Sequence, residues 1–96
     1  MKNHQNATQK VLETFPENYK LDPQTRLIHL IEEVVELGIT ISKYLDKIPG
    51  NAAKKDIEED FGGILFDVFT LANQLGINLD TIYPKELKKF KKYSSR

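Results

Sequence analysis

The chain has 96 residues, enough for one domain that buries roughly 60–65% of its unfolded surface. Hydrophobic residues make up 40% and charged residues 29%, with Lys plus Arg equal to Asp plus Glu at 14 each, a globular composition whose balance points to neither a nucleic-acid binder nor a membrane-surface protein. Cysteine is absent, which excludes disulfides, thiolate zinc sites and cysteine nucleophiles, and with no apolar run near about 20 residues and no signal-peptide stretch after Met1, a soluble cytoplasmic protein is expected.

In chain order, Asn6 to Phe15 reads as a short helix ended by Pro16. His4 precedes it, in a terminus expected to fray. Residues 16–23 form a connector in which Asp22 caps the next helix and Pro23 enters its first turn. The helical pattern then continues to about Asp46 through Leu27, Leu30, Ile31, Val34, Leu37, Gly38, Ile41 and Leu45, and Pro49-Gly50-Asn51 breaks it. A third helix covers about Asn51 to Leu75, with Ile57, Phe61, Ile64, Leu65, Val68, Phe69, Ala72 and Leu75 on its apolar side. Gly76 suits the position just past a helix end. After a turn at Asn78 to Ile82, Pro84 is expected to open a basic final helix. The expected architecture is all-α: residues 1–22 an N-terminal helix and connector, 23–76 a helical hairpin, 77–96 a basic C-terminal helix.

At about 100° per residue, the apolar side chains of the second helix cover more than half its circumference, with Ile28, Val35 and Ile39 far from the seam of Leu30, Val34 and Ile41. A helix apolar on so wide an arc is buried on two sides. A chain this short supplies few partners for the second side, so the hairpin is expected to pair into a four-helix bundle as a homodimer or a dimer of dimers. Gly62 and Gly38 are expected to permit close helix packing, whereas Gly63 falls on a polar stripe with no packing reason.

The polar stripe of the second helix holds His29, Glu32, Glu33, Glu36, Thr40 and Lys43. Like charges at three- and four-residue spacing destabilise a helix by roughly 0.2–0.5 kcal/mol per pair. The third helix carries Asp56, Asp60, Gly63, Asp67 and Gln74 on its own stripe, so packing the apolar seams brings Glu33 and Glu36 opposite Asp60 and Asp67. Oxygen ligands brought together in this way suit Mg²⁺ or Mn²⁺; a solvated charged face is the bland reading of the same pattern.

Leu30-Ile-Glu-Glu-Val-Val-Glu-Leu37 and Asp56-Ile-Glu-Glu-Asp-Phe-Gly-Gly-Ile-Leu-Phe66, followed by Leu71-Ala-Asn-Gln-Leu-Gly-Ile-Asn-Leu-Asp80, resemble the MazG-type all-α nucleoside triphosphate pyrophosphohydrolases over roughly residues 25–92. The resemblance implies a Mg²⁺-dependent (or Mn²⁺-dependent) hydrolase that releases nucleoside monophosphate and pyrophosphate. It implies metal ligands Glu33, Glu36 and Asp60, and Glu32 as the group that orients or deprotonates water. The second motif departs from the family at Asp60, where a glutamate is expected, and at Gly63, where a metal-binding aspartate is expected. Asp67, one turn on, either supplies that carboxylate or is a solvated helix residue. His29 either contacts substrate or pairs with a neighbouring glutamate. Lys85 and Lys88 resemble the family's phosphate-binding lysines, within a tail that includes Lys89, Lys91, Lys92 and Arg96 and can equally be a solvated helix end.

The other readings are a catalytically impaired MazG-like module that binds nucleotide or a protein partner, and a nucleic-acid accessory protein using Lys85 to Lys92. The acidic centre argues against the last. No glycine-rich phosphate loop is present.

Overall fold

The computed structural model describes residues 2–95 and holds four α-helices and two short 3-10 turns. Asp22 begins the long second helix: its carboxylate accepts the Thr25 N–H at 2.7 Å, Pro23 takes the first helical position, and that bond holds the Asp22 carboxyl below its ordinary value. This helix, α2, spans Pro23–Tyr44; α1 spans Lys2–Glu13, α3 Lys54–Gln74 and α4 Leu79–Lys91. Glu17–Tyr19 forms a 3-10 turn in the connector between α1 and α2.

Both long helices stop in the same way. After α2, Lys47 N–H reaches Ser42 C=O at 2.8 Å and Asp46 N–H reaches Lys43 C=O at 3.1 Å, with Asp46 at φ 58°. After α3, Ile77 N–H reaches Ala72 C=O at 2.8 Å and Gly76 N–H reaches Asn73 C=O at 3.2 Å, with Gly76 at φ 68°. These are Schellman ends, which satisfy the last carbonyls through one left-handed residue. Gly76 takes that place as expected; Asp46 does the same ahead of Pro49-Gly50.

Several sequence expectations need correction. His4 does not lie in a frayed end: α1 starts at Lys2, and the His4 ring stacks on Phe69 with centroids 5.9 Å apart. Pro84 does not open the last helix but lies inside it, since the Asn78 side chain accepts Asp80 N–H and starts the helix earlier. A proline at this depth costs one backbone bond, that to the Asp80 carbonyl. Arg96 of the basic tail lies outside the described residues. Gly38 and Gly62 permit no close approach within the chain, because a Cβ at either meets nothing within 4 Å.

α2 packs against α3, and α1 lies across the far half of α3. Among the described residues, buried apolar side chains are few: Leu12, Phe69 and Ala72. Leu27, Ile31 and Val34 of α2 and Phe61 and Leu65 of α3 stay about half exposed, as do Ile28, Val35 and Ile39. The hairpin is therefore sealed in its polar middle more than along its apolar seams.

Gln5 ties α1, α3 and α4 together. Its Nε2 donates to Asn73 Oδ1 at 3.1 Å and to Ile77 C=O at 2.9 Å, and its Oε1 accepts Leu79 N–H at 3.0 Å. Asn73 returns a bond to the Gln5 carbonyl at 2.9 Å. Gln5 is 5% exposed, so Gln5→Ala strands buried partners and is expected to cost about 1–3 kcal/mol in urea unfolding. A loss below about 0.5 kcal/mol would mean that water replaces these bonds freely.

Candidate metal centre

The antiparallel hairpin lays the glutamate stripe of α2 along the aspartate stripe of α3. A pocket of about 240 Å³ opens between them, lined by His29, Glu32, Glu33, Glu36, Glu59, Asp60 and Gly63. Glu32, Glu33, Glu36 and Asp60, all expected from the sequence, meet here, and Glu59 joins them. Each sits where it does because residues three or four apart share a helix face.

The walls are almost wholly carboxylate. Asp60 Oδ2 is buried and has no hydrogen-bond partner. An unpaired buried acceptor costs about 1–3 kcal/mol, and a cluster of carboxylates adds repulsion, so the site calls for positive charge. A hard divalent cation fits these carboxylate oxygens.

Gly63 acquires a reason that the sequence did not reveal. A Cβ built there would lie 2.5 Å from Glu33 Oε2. The Glu33 carboxylate thus occupies the space that a side chain at 63 would fill. The clash is with the tip of a flexible side chain, so a larger residue at 63 is accommodated if Glu33 swings away.

Asp67 is neither solvated nor part of the pocket wall. It is 1% exposed, with Oδ1 accepting from Arg26 Nη1 at 2.9 Å and Oδ2 bonded to His29 Nδ1 at 2.6 Å. The same His29 nitrogen lies 3.1 Å from Glu33 Oε1. His29 therefore pairs with Glu33, and more closely with Asp67. Donor atoms of His29, Glu33 and Asp67 all lie within 4.8 Å of one another, the one group among the described residues with donors close enough to share a cation as they stand, whereas Glu36 and Asp60 line the pocket in front of it. Arg26, 4% exposed, is the residue sequence reasoning missed at this site.

These contacts set the protonation of the cluster. The bond to Asp67 holds the His29 imidazolium above its ordinary value of 6.5, against its own partial desolvation and the Arg26 charge. Desolvation pushes the Glu33 carboxyl above 4.5, and Asp67 adds to the rise. Both folded values exceed the unfolded ones, so each group contributes most below its unfolded value and less as pH rises through the folded one. In metal-free protein the unfolding free energy is expected to fall as pH rises above about 6.5, and His29→Gln to flatten that part of the curve. An unchanged curve in the variant would show that His29 does not carry it.

The pocket does not gather every expected residue. Lys85 and Lys88 line a separate depression on α4, with Pro84, Leu87 and Lys91. Asp56 serves as a helix cap, its carboxylate accepting Ala53 N–H at 2.8 Å.

Comparison with known proteins agrees with this arrangement. Residues 21–95 match the profile of the MazG nucleotide pyrophosphohydrolase domain. A Bacillus subtilis (strain 168) protein, the uncharacterized protein YpjD, is 30% identical over 92 residues, which is 94% of this chain and 82% of that protein. The crystal structure of the putative pyrophosphatase YpjD from Bacillus subtilis superposes with a TM-score of 0.79 at 30% identity, over 93% of this chain and 92% of that one. That of the Bacillus-conserved MazG protein, a nucleotide pyrophosphohydrolase, gives 0.76 at 29% identity, over 93% and 86%. With hairpin, acidic pocket and these likenesses in agreement, the chain belongs to the MazG nucleotide pyrophosphohydrolase family.

Proposed function

We propose that the protein hydrolyses a nucleoside triphosphate to the monophosphate and pyrophosphate, using Mg²⁺ or Mn²⁺ held by Glu33, Glu36 and Asp60. The observation that carries this reading is the buried, unpartnered Asp60 oxygen in a pocket walled by carboxylates. A cation held there would neutralise charge on phosphate oxygens and make a neighbouring water more acidic. Glu32, exposed at the pocket edge, accepts the water proton as the oxygen adds to phosphorus. The α–β phosphoanhydride bond breaks, and the bridging oxygen leaves with pyrophosphate. Asp67, held by Arg26, fixes His29 and Glu33 from behind, and in this reading His29 meets the substrate. Asp67 joins the cation's ligands if the ion sits at the His29–Glu33–Asp67 group.

A second copy of the chain completes the fold in this account. The chain exposes 7383 Å², whereas a compact monomer of 11.1 kDa exposes about 5,700 Å². Its radius of gyration is 16.1 Å, against about 12.5 Å for a compact domain of this length. The half-exposed apolar residues of α2 and α3 are the surface that a homodimer covers. Lys85 and Lys88, on α4, serve substrate phosphate in such an assembly.

The binding-module reading rests on one specific observation, the glycine at 63 with Glu33 turned over it. Phosphorus NMR of a nucleoside triphosphate incubated with the protein and Mg²⁺ separates the readings. Monophosphate and pyrophosphate signals are expected. Diphosphate and orthophosphate would mean a different bond is cut, and an unchanged but bound nucleotide would favour the module.

A further inference from the structure

His29 lines two depressions: the acidic pocket and, on its other side, an apolar hollow of about 320 Å³. Phe15, Pro16, Tyr19, Leu21, Arg26 and His29 line the hollow. Its volume lies at the small end of ligand sites, near that of a single base with its sugar.

Its aromatic wall is built in depth. Phe15 stacks on Phe66 with centroids 5.9 Å apart, and the Arg26 guanidinium lies 5.7 Å over the Phe66 ring. Tyr19, by contrast, is 63% exposed at the edge of this apolar surface. An aromatic ring left bare beside an apolar hollow is a stacking platform waiting for a planar partner.

Arg26 supplies the polar end. It is 4% exposed and bonds Asp67 through Nη1, while Nε and Nη2 have no hydrogen-bond partner. Buried donors left unmade are costly, and a guanidinium donates but never accepts. Its missing partner is therefore an acceptor. Among planar ligands, a base with a carbonyl on its edge meets that need, whereas adenine offers only ring nitrogens as acceptors, with a donor amino group beside N1.

We propose that this hollow is the base subsite of the pyrophosphohydrolase reading above, on which the proposal rests. It takes an oxo-bearing base (guanine, cytosine, uracil or thymine) stacked by Tyr19 and Phe15. The free Arg26 N–H groups pair with the carbonyl edge, and the phosphates pass His29 into the acidic pocket. This places the ligand along one continuous surface from the connector after α1 to the carboxylates of α2 and α3.

The test titrates the full chain with GMP, UMP, AMP and pyrophosphate, each with Mg²⁺, in native protein, Tyr19→Ala, Tyr19→Phe and Arg26→Lys. GMP and UMP are expected to bind at least about tenfold more tightly than AMP, the effect of one charge-assisted hydrogen bond. Tyr19→Ala, at an exposed position, is expected to weaken GMP about tenfold through lost stacking and to leave pyrophosphate binding unchanged. Tyr19→Phe is expected to restore GMP binding, and Arg26→Lys to narrow the gap between GMP and AMP. Pyrophosphate binding with GMP indifferent to Tyr19, or with AMP bound as well as GMP, overturns the subsite and leaves the function standing. Tyr19-dependent GMP binding without pyrophosphate binding supports the subsite and sinks the enzyme reading. Failure of every ligand to bind overturns both.

Discussion

Arg26→Ala is expected to lower the unfolding free energy by about 3–5 kcal/mol, the cost of leaving a buried charge without its partner. The side chains of Arg26 and Asp67 are 5% and 1% exposed, so solvent does not screen the loss. Asp67 would retain His29, itself half exposed and partly engaged by Glu33. A domain of this size holds about 5–15 kcal/mol in all, so the variant sits near the edge of folding. Replacing both partners together, as in Arg26→Met with Asp67→Leu, removes charge and countercharge at once and is expected to recover most of the loss. Urea unfolding of the native protein, the single variant and the pair checks both statements. A single-variant loss under about 1 kcal/mol would mean that water reaches the pair freely.

Glu36→Gln and Asp60→Asn are expected to have the largest effects on activity. Each keeps the shape of its side chain and removes a charge from the pocket wall. Loss of a cation ligand removes on the order of 3 kcal/mol of charge stabilisation, about 10²-fold in turnover. Mn²⁺ affinity, read from its electron paramagnetic resonance signal, is expected to fall in parallel, while thermal stability holds or rises as carboxylate repulsion is relieved. Variants that keep full turnover would show that the cation is bound elsewhere.

The hairpin was legible because its apolar residues recur at helical spacing, and because Asp22-Pro23 and Gly76 mark boundaries by local chemistry that needs no tertiary contact. The acidic pocket was legible for a related reason: each stripe lies on one face of its own helix. Which residue faces which was less so. Glu33 lies over Gly63 and His29 bonds Asp67, pairs whose numbers add to the same total, as antiparallel helices require. That register also sets Glu36 opposite Asp60, and both line the pocket.

Applied to the sequence, the same rule sets Arg26 opposite Thr70, one turn beyond Asp67, and only the reach of the long arginine side chain closes that gap. Periodicity alone sees Arg26 as a charge near the glutamates on its own helix. Gly63 was opaque because its explanation is a side chain on the facing helix, which no local pattern encodes. The start of α1 was missed because it is fixed by tertiary bonds, Gln5 to α3 and α4 and Lys2 N–H to Asp80 at 2.6 Å.

The most direct test of the central claim is pyrophosphate release from the common ribo- and deoxyribonucleoside triphosphates with Mg²⁺ or Mn²⁺, measured for the native protein and for Gly63→Asp. The expected result is release by the native chain and tighter cation dependence in Gly63→Asp, where the added carboxylate displaces Glu33 from above residue 63 and adds a ligand. No release from either protein, with both folded, would contradict the account and leave the acidic pocket without the chemistry assigned to it.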